Sequence, residues 1–175
     1  MRSVRPAGQI MALRPIPDPG VLKNADAFRT AAQSLSAFPE SSMSVPTVVN
    51  AAFALELYLK CLNMEWQLAD PNEIANSGKK AWLASRSAMQ KGHIPSKLFE
   101  ALEQSIHDNL EQQYKLSSYN SNTQSLKEAL QGFDDLFEDW RYIFEGKCKS
   151  VNLSSLFAML AFFSETINAS PQKWA

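Results

Sequence analysis

The chain has 175 residues, enough for one domain with a sizeable core. Its formal net charge of −1, with 45% hydrophobic and 20% charged residues, argues against general electrostatic binding to nucleic acid and leaves room only for a local basic patch. Two cysteines, Cys61 and Cys148, give neither a metal-ligand spacing nor a disulfide framework, and Cys61, inside an apolar run, is expected to pack as a small hydrophobe.

Residues 1–20 begin with basic residues but lack the continuous apolar stretch of a signal peptide. Prolines at positions 6, 15, 17 and 19 prevent a helix there, so an extended proline-rich arm is expected. The longest uncharged runs, 41–55 and 150–164, are too short to span a membrane, and a cytoplasmic protein is the expectation.

A single helical domain is predicted over 21–170. Its first helix is 21–38, favoured by Ala31 and Ala32 and stopped by Pro39. The second, 46-PTVVNAAFALELYLKCLNMEWQLAD-70, starts at Pro46 with Ser44 as a cap and is apolar around most of its circumference. Only Glu56, Lys60 and Asn63 form a polar stripe, a pattern that places a helix centrally in its domain. Residues 71–94 read as a long connection in which 80–90 has the makings of a short helix. Another helix starts near Pro95, with Leu98, Phe99, Leu102 and Ile106 in helical spacing. The polar tract 117–125 is a loop, and Ser125 or Thr123 caps the next helix, where Phe133, Leu136, Phe137, Trp140 and Phe144 share one stripe and Gly146 is a natural stop. The last helix, 152–169, is apolar over more than half its wheel, with Met159 and Phe162 directed away from the main stripe toward a subunit contact. No strand pattern competes, and the expected architecture is an all-α antiparallel helical bundle of about five helices.

Three polar groupings have chemical potential. Glu56 and Lys60, four residues apart, form either a solvated surface pair or a buried one needing further partners. Arg141 flanks the apolar stripe of its helix, with Glu138 and Glu145 one turn to either side. It belongs either to a surface network or to an inward contact with Glu56 or a phosphate, for which its planar fork is suited. His93, after Gly92 and just before a helix start, suits a cap, a packing role or an anion site, while His107 lies near an expected helix end. Phosphate-loop, dinucleotide, zinc-protease, serine-hydrolase and paired-cysteine motifs are absent from the sequence. No cofactor or metal is implied.

The ordered segments 53-FALELYLKCL-62, 92-GHIPSKLFEAL-102 and 140-WRYIFEG-146 together resemble the HEPN superfamily over about residues 45–165. The closest likeness is to an uncharacterised branch with an A-x-E-L-x-L-K helix, a Gly-His turn and a late R-Y-x-[YF]-E. The resemblance implies a four-to-five-helix bundle, usually a homodimer, with a polar cleft between helices, in a prokaryotic defence or toxin–antitoxin setting. Active members are metal-independent RNases with an R-x(4–6)-H motif, whose histidine handles the ribose 2′-OH proton and whose arginine stabilises phosphate charge. This chain departs from that pattern, because no histidine follows His107. Arg86 and His93 match the spacing but lie before the Pro95 helix. What carries over by position is the set Glu56, Lys60, Gly92, His93, Arg141, Tyr142 and Glu145, with Arg141 expected to approach Glu56 and His93 close by. The implied function is nucleotide or RNA binding or regulation, together with a cognate partner protein. The alternatives are a metal-independent ribonuclease using His93 and Arg141, or a structural protein-interaction module.

Overall fold

A computed structural model describes residues 9–13, 16–38, 41–69, 83–120, 124–143, 146 and 150–169. The fold is built around one helix that is buried on nearly every side. Helix α2 (Ser44–Cys61) hides Val48, Ala51, Ala54, Leu55, Tyr58 and Leu59, and with them the carboxylate of Glu56. Helix α1 (Pro19–Ser36) lies along it, and the fully buried Ala25 and Ala32 of α1 let the two backbones approach closely. Helices α3 (Pro95–Glu100), α4 (Gln104–Leu116), α5 (Leu126–Gln131), α6 (Leu136–Arg141) and α7 (Leu153–Ala169) complete the bundle, with α3, α6 and α7 also packing on α2. The all-α bundle predicted from periodicity is therefore the architecture, and the central place of α2 follows from its apolar circumference.

Local chemistry sets the helix ends. The Asp18 carboxylate accepts from the Gly20 and Val21 amides at 2.9 Å each, so α1 begins at Pro19, ahead of the predicted start at Val21. Ser125 and Glu128 form a reciprocal capping box on α5, and the Ser125 amide and hydroxyl hold the Glu128 carboxyl below its usual range. Two predicted helices are each broken in two. The helix from Pro95 stops at Ala101, whose carbonyl accepts from Asn63 at 3.1 Å, and restarts after the extended Glu103, whose carbonyl accepts from the Ile106 and His107 amides. His107 consequently sits inside α4 and stacks on Phe99, with 4.2 Å between ring centroids. The Phe133 stripe is interrupted at Asp135, which takes a left-handed conformation at φ 63°.

A small sheet corrects the expectation that no strands form. Strands β1 (Gln9–Leu13), β2 (Met64–Ala69) and β3 (Leu83–Ala88) make an antiparallel sheet in the order β1-β2-β3. Leu13 and Arg86 both pair with Trp66. Residues 64–69 contain good helix formers and were expected to extend the second helix, but pairing on both edges overrides that propensity. The Trp66 indole also donates to Asp18 at 2.6 Å, tying β2 to the start of α1. Part of the expected short helix at 80–90 is β3, and the expected extended arm contributes β1.

Cys61 packs as expected: it is buried, its Sγ donates to the Tyr58 carbonyl at 3.1 Å, and burial, reinforced by the Asp18 and Asp26 carboxylates, pushes its thiol pKa up. Met159 and Phe162 do not face outward. They are 4% and 1% exposed, because Tyr114, Tyr119 and Phe163 surround Phe162, so they offer no subunit contact. Among the described residues, no helix is long and apolar enough to cross a membrane. The arm before Gln9, residues 70–82, the cap candidate Thr123, Phe144, Glu145 and Cys148 lie outside the described residues, as does the side chain of Arg86.

Candidate functional site

Two separate segments meet at Glu56. Its position in the C-terminal half of the central helix leaves it 2% exposed, and each of its oxygens is engaged. Lys60, one turn on, reaches Oε1 at 2.6 Å, and His93 Nδ1 lies 2.8 Å from Oε2. A carboxylate taken from water requires such partners, since burying it alone costs several kcal/mol. The partners remain part-way in solvent, Lys60 at 18% and His93 at 39% exposed. Of the two readings open for Glu56 and Lys60, the buried pair with a further partner is the one found.

The loop 92–94 delivers the histidine. Gly92 has φ 110°, a backbone region that L side chains rarely adopt. The next turn is fixed from a distance: the Asp134 carboxylate accepts from the Ser96 amide at 3.0 Å and the Ser96 hydroxyl at 2.6 Å. The start of α3, and with it His93, is thereby held to the turn that launches α6. The carboxylate at Nδ1 can only accept, so Nδ1 carries the proton and a neutral ring keeps its lone pair on Nε2. His93 also lines a cleft of about 340 Å³ with Lys91, Gly92, Ile94, Lys97 and Glu138.

Aromatic rings back the cluster. His93 lies 5.3 Å from the Phe137 ring, Phe137 stacks on Phe53 at 5.4 Å, and Phe53 meets Phe28 edge-on at 4.7 Å. Arg141 joins from the other end of α6. Its guanidinium carbon is 5.1 Å from the Phe137 centroid and 4.6 Å from that of Tyr142, and its Nη2 donates to the Tyr142 hydroxyl at 2.7 Å. Arg141 and Tyr142 are exposed.

Arg141 and Glu56 form no ion pair, so the direct inward contact, one of the readings open for Arg141, is not made. Lys60 and His93 occupy the Glu56 oxygens, and the arginine packs on Phe137, the ring that His93 also touches. Glu56, Lys60 and His93 thus converge as expected, and Arg141 with Tyr142 forms an adjoining exposed platform. Glu145 lies outside the described residues.

A second polar cluster went unforeseen. Asp26 of α1 accepts from the Tyr58 hydroxyl at 2.5 Å, the Ser164 hydroxyl at 3.1 Å and the Asn168 amide at 3.5 Å. Burial, then the Asp26 hydrogen bond, drives the Tyr58 pKa up. The signal available in the sequence was weak, a lone acid on an otherwise mixed helix. Asp134 gave none, since its partner is 38 positions away. Among the described residues no group of histidine, cysteine and acidic side chains has the geometry to hold a metal ion. Compared with known proteins, the chain matches no family model, no curated protein and no solved structure.

Proposed function

We propose that the chain is a HEPN-like helical domain that binds a phosphate-bearing ligand, a nucleotide or RNA, over the Glu56–Lys60–His93 cluster. Its setting would be a binding or regulatory component of a defence or toxin–antitoxin system, acting as a homodimer with a cognate partner protein. One observation carries the reading: a single buried carboxylate holds an ammonium on one oxygen, 2.6 Å away, and an imidazole on the other, 2.8 Å away, and that imidazole lines an open cleft. The carboxylate fixes their positions, so an incoming phosphate meets an oriented ammonium, and an oriented second donor whenever His93 also carries a proton on Nε2. Arg141 adds a planar donor on the same aromatic ring that supports His93. The ordered segments around residues 53–62, 92–102 and 140–146 supply the family likeness, and the absence of a histidine after His107 favours binding over cleavage.

A second reading is favoured by the Nδ1 contact. A histidine oriented by a carboxylate presents Nε2 as a general acid or base, and Arg141 would then clamp phosphate in a metal-independent ribonuclease.

Incubation with mixed RNA, with and without chelator, separates the two. The expected result is retention of RNA in a filter-binding assay without cleavage, weakened about tenfold or more by His93→Ala and by Arg141→Ala and by rising salt. Chelator-resistant cleavage lost in both variants would establish the ribonuclease instead. RNA and nucleotides both failing to bind would end the proposal. Gel filtration tests the dimer.

A further inference from the structure

We infer that the cleft beside His93 is a subsite for a phosphate monoester on a nucleoside, and that a continuous nucleic-acid backbone is a poor fit to it. The inference rests on the proposed binding function and narrows its ligand.

The lysines are the first observation. Lys60, Lys115 and Lys127 each pair with a glutamate. Lys91 and Lys97, which line the cleft, form no ion pair among the described residues. Two compact ammonium groups flanking one histidine match the double charge of a terminal phosphate better than the single charge of a diester. His93 has one ring nitrogen committed to Glu56, so only Nε2 is left, and it donates to a ligand oxygen when it too carries a proton.

The shape of the cleft is the second. Its volume of about 340 Å³ lies at the small end of the usual range for small-ligand pockets, roughly 300–1,000 Å³, and accommodates one nucleotide unit. Nothing lies within 4 Å of where a Gly92 side chain would begin, so the backbone there borders open space. Ile94 and Leu98 supply an apolar wall.

Glu138 is the third. It stands in the lining as the single acid, and it makes no ion pair among the described residues. A carboxylate at this position repels any further phosphate that continues through the cleft, while it accepts hydrogen bonds from a ribose hydroxyl or a base amino group. Two cations and one acid thus select one doubly charged phosphate followed by a neutral, donor-bearing body.

The test is titration calorimetry of the full chain with AMP, adenosine, inorganic phosphate and a short RNA strand with or without a 5′-phosphate. AMP is expected to bind at least about tenfold more tightly than adenosine, and the phosphorylated strand more tightly than the unphosphorylated one. Comparing AMP with the phosphorylated strand tells a free nucleotide from a strand end. Combined Lys91→Ala and Lys97→Ala substitution should abolish the phosphate advantage with the circular dichroism spectrum unchanged. Glu138→Gln should strengthen the unphosphorylated strand more than AMP. If the unphosphorylated strand binds as tightly as the phosphorylated one and the lysine variant is indifferent, the subsite is wrong while RNA binding stands. If none of the probes binds, both fall.

Discussion

Glu56 and Asp26 are carboxylates on neighbouring helices, and they have opposite company. Glu56 is held by ionisable groups, Lys60 and His93, and it is His93 that lines a cleft. Asp26 is held by neutral donors, Tyr58, Ser164 and Asn168, contributed by α2 and α7. Tyr58 follows Glu56 by two residues, about 200° around the helix, so α2 presents the two clusters on different sides. Neutral donors saturate a carboxylate and lock three helices together without leaving a titratable group for a ligand. Ionisable, part-exposed partners do the reverse, keeping charge and proton-handling capacity near solvent. The difference separates Asp26, which braces the fold, from Glu56, which belongs to the candidate site.

The contrast breaks or holds first on stability. Asp26→Ala strands the fully buried Tyr58 hydroxyl and removes charge-assisted hydrogen bonds, and a loss of about 3 kcal/mol is expected in urea denaturation. Glu56→Ala removes the buried member of its cluster while Lys60 and His93 can reach water, so about 1–2 kcal/mol is expected. A larger loss for Glu56→Ala than for Asp26→Ala would reverse the assignment of the two clusters.

An effect that grows with pH sharpens the same distinction in alkali. Burial raises the Cys61 thiol above its ordinary 9.0 and the Tyr58 hydroxyl above its ordinary 10.0. In the unfolded chain both groups ionise near those ordinary values; in the folded chain both stay protonated. The folded state therefore binds more protons above pH 9, and stability falls as pH rises, by about 1.4 kcal/mol per pH unit for each group once its unfolded form has ionised. Tyr58→Phe should flatten the decline above pH 10 and Cys61→Ala the part beginning near pH 9, as read from denaturant midpoints against pH. A decline unchanged in both variants would place the alkaline sensitivity elsewhere.

Much of the bundle was legible because a helix that is apolar all round has one place to go. The run from Val48 to Leu59 marked α2 as central, and its few polar positions drew attention to Glu56 and Lys60. The ordered family likeness added His93. What stayed hidden depended on long-range partners. MEWQLA reads as helix until β1 and β3 pair with it, and Ser96 reads as an ordinary early-helix serine until Asp134 accepts from it twice. Phe162 looked free on a helical wheel because a wheel does not show Tyr114 and Tyr119 closing over it. The absence of an Arg141–Glu56 ion pair has a related reason: the sequence shows the charge of Glu56 but not that Lys60 and His93 already fill its two oxygens.

Arg141 therefore gives the smallest expected effect on stability and a pointed test of the contrast. Its guanidinium is exposed, spans Phe137 and Tyr142, and makes no salt bridge with a described acid. Exposed cation–π contacts contribute about 0.5–1 kcal/mol, so Arg141→Ala should cost no more than about 1 kcal/mol in urea denaturation. Arg141→Lys keeps the charge but loses the planar fork and most of the stacking. If the residue serves a ligand, both variants fold with near-native stability and both weaken ligand binding, the alanine variant more. A loss of several kcal/mol in the alanine variant would instead mean that the platform is structural, joining Arg141 to the Asp26 side of the comparison and leaving Glu56, Lys60 and His93 as the whole of the site.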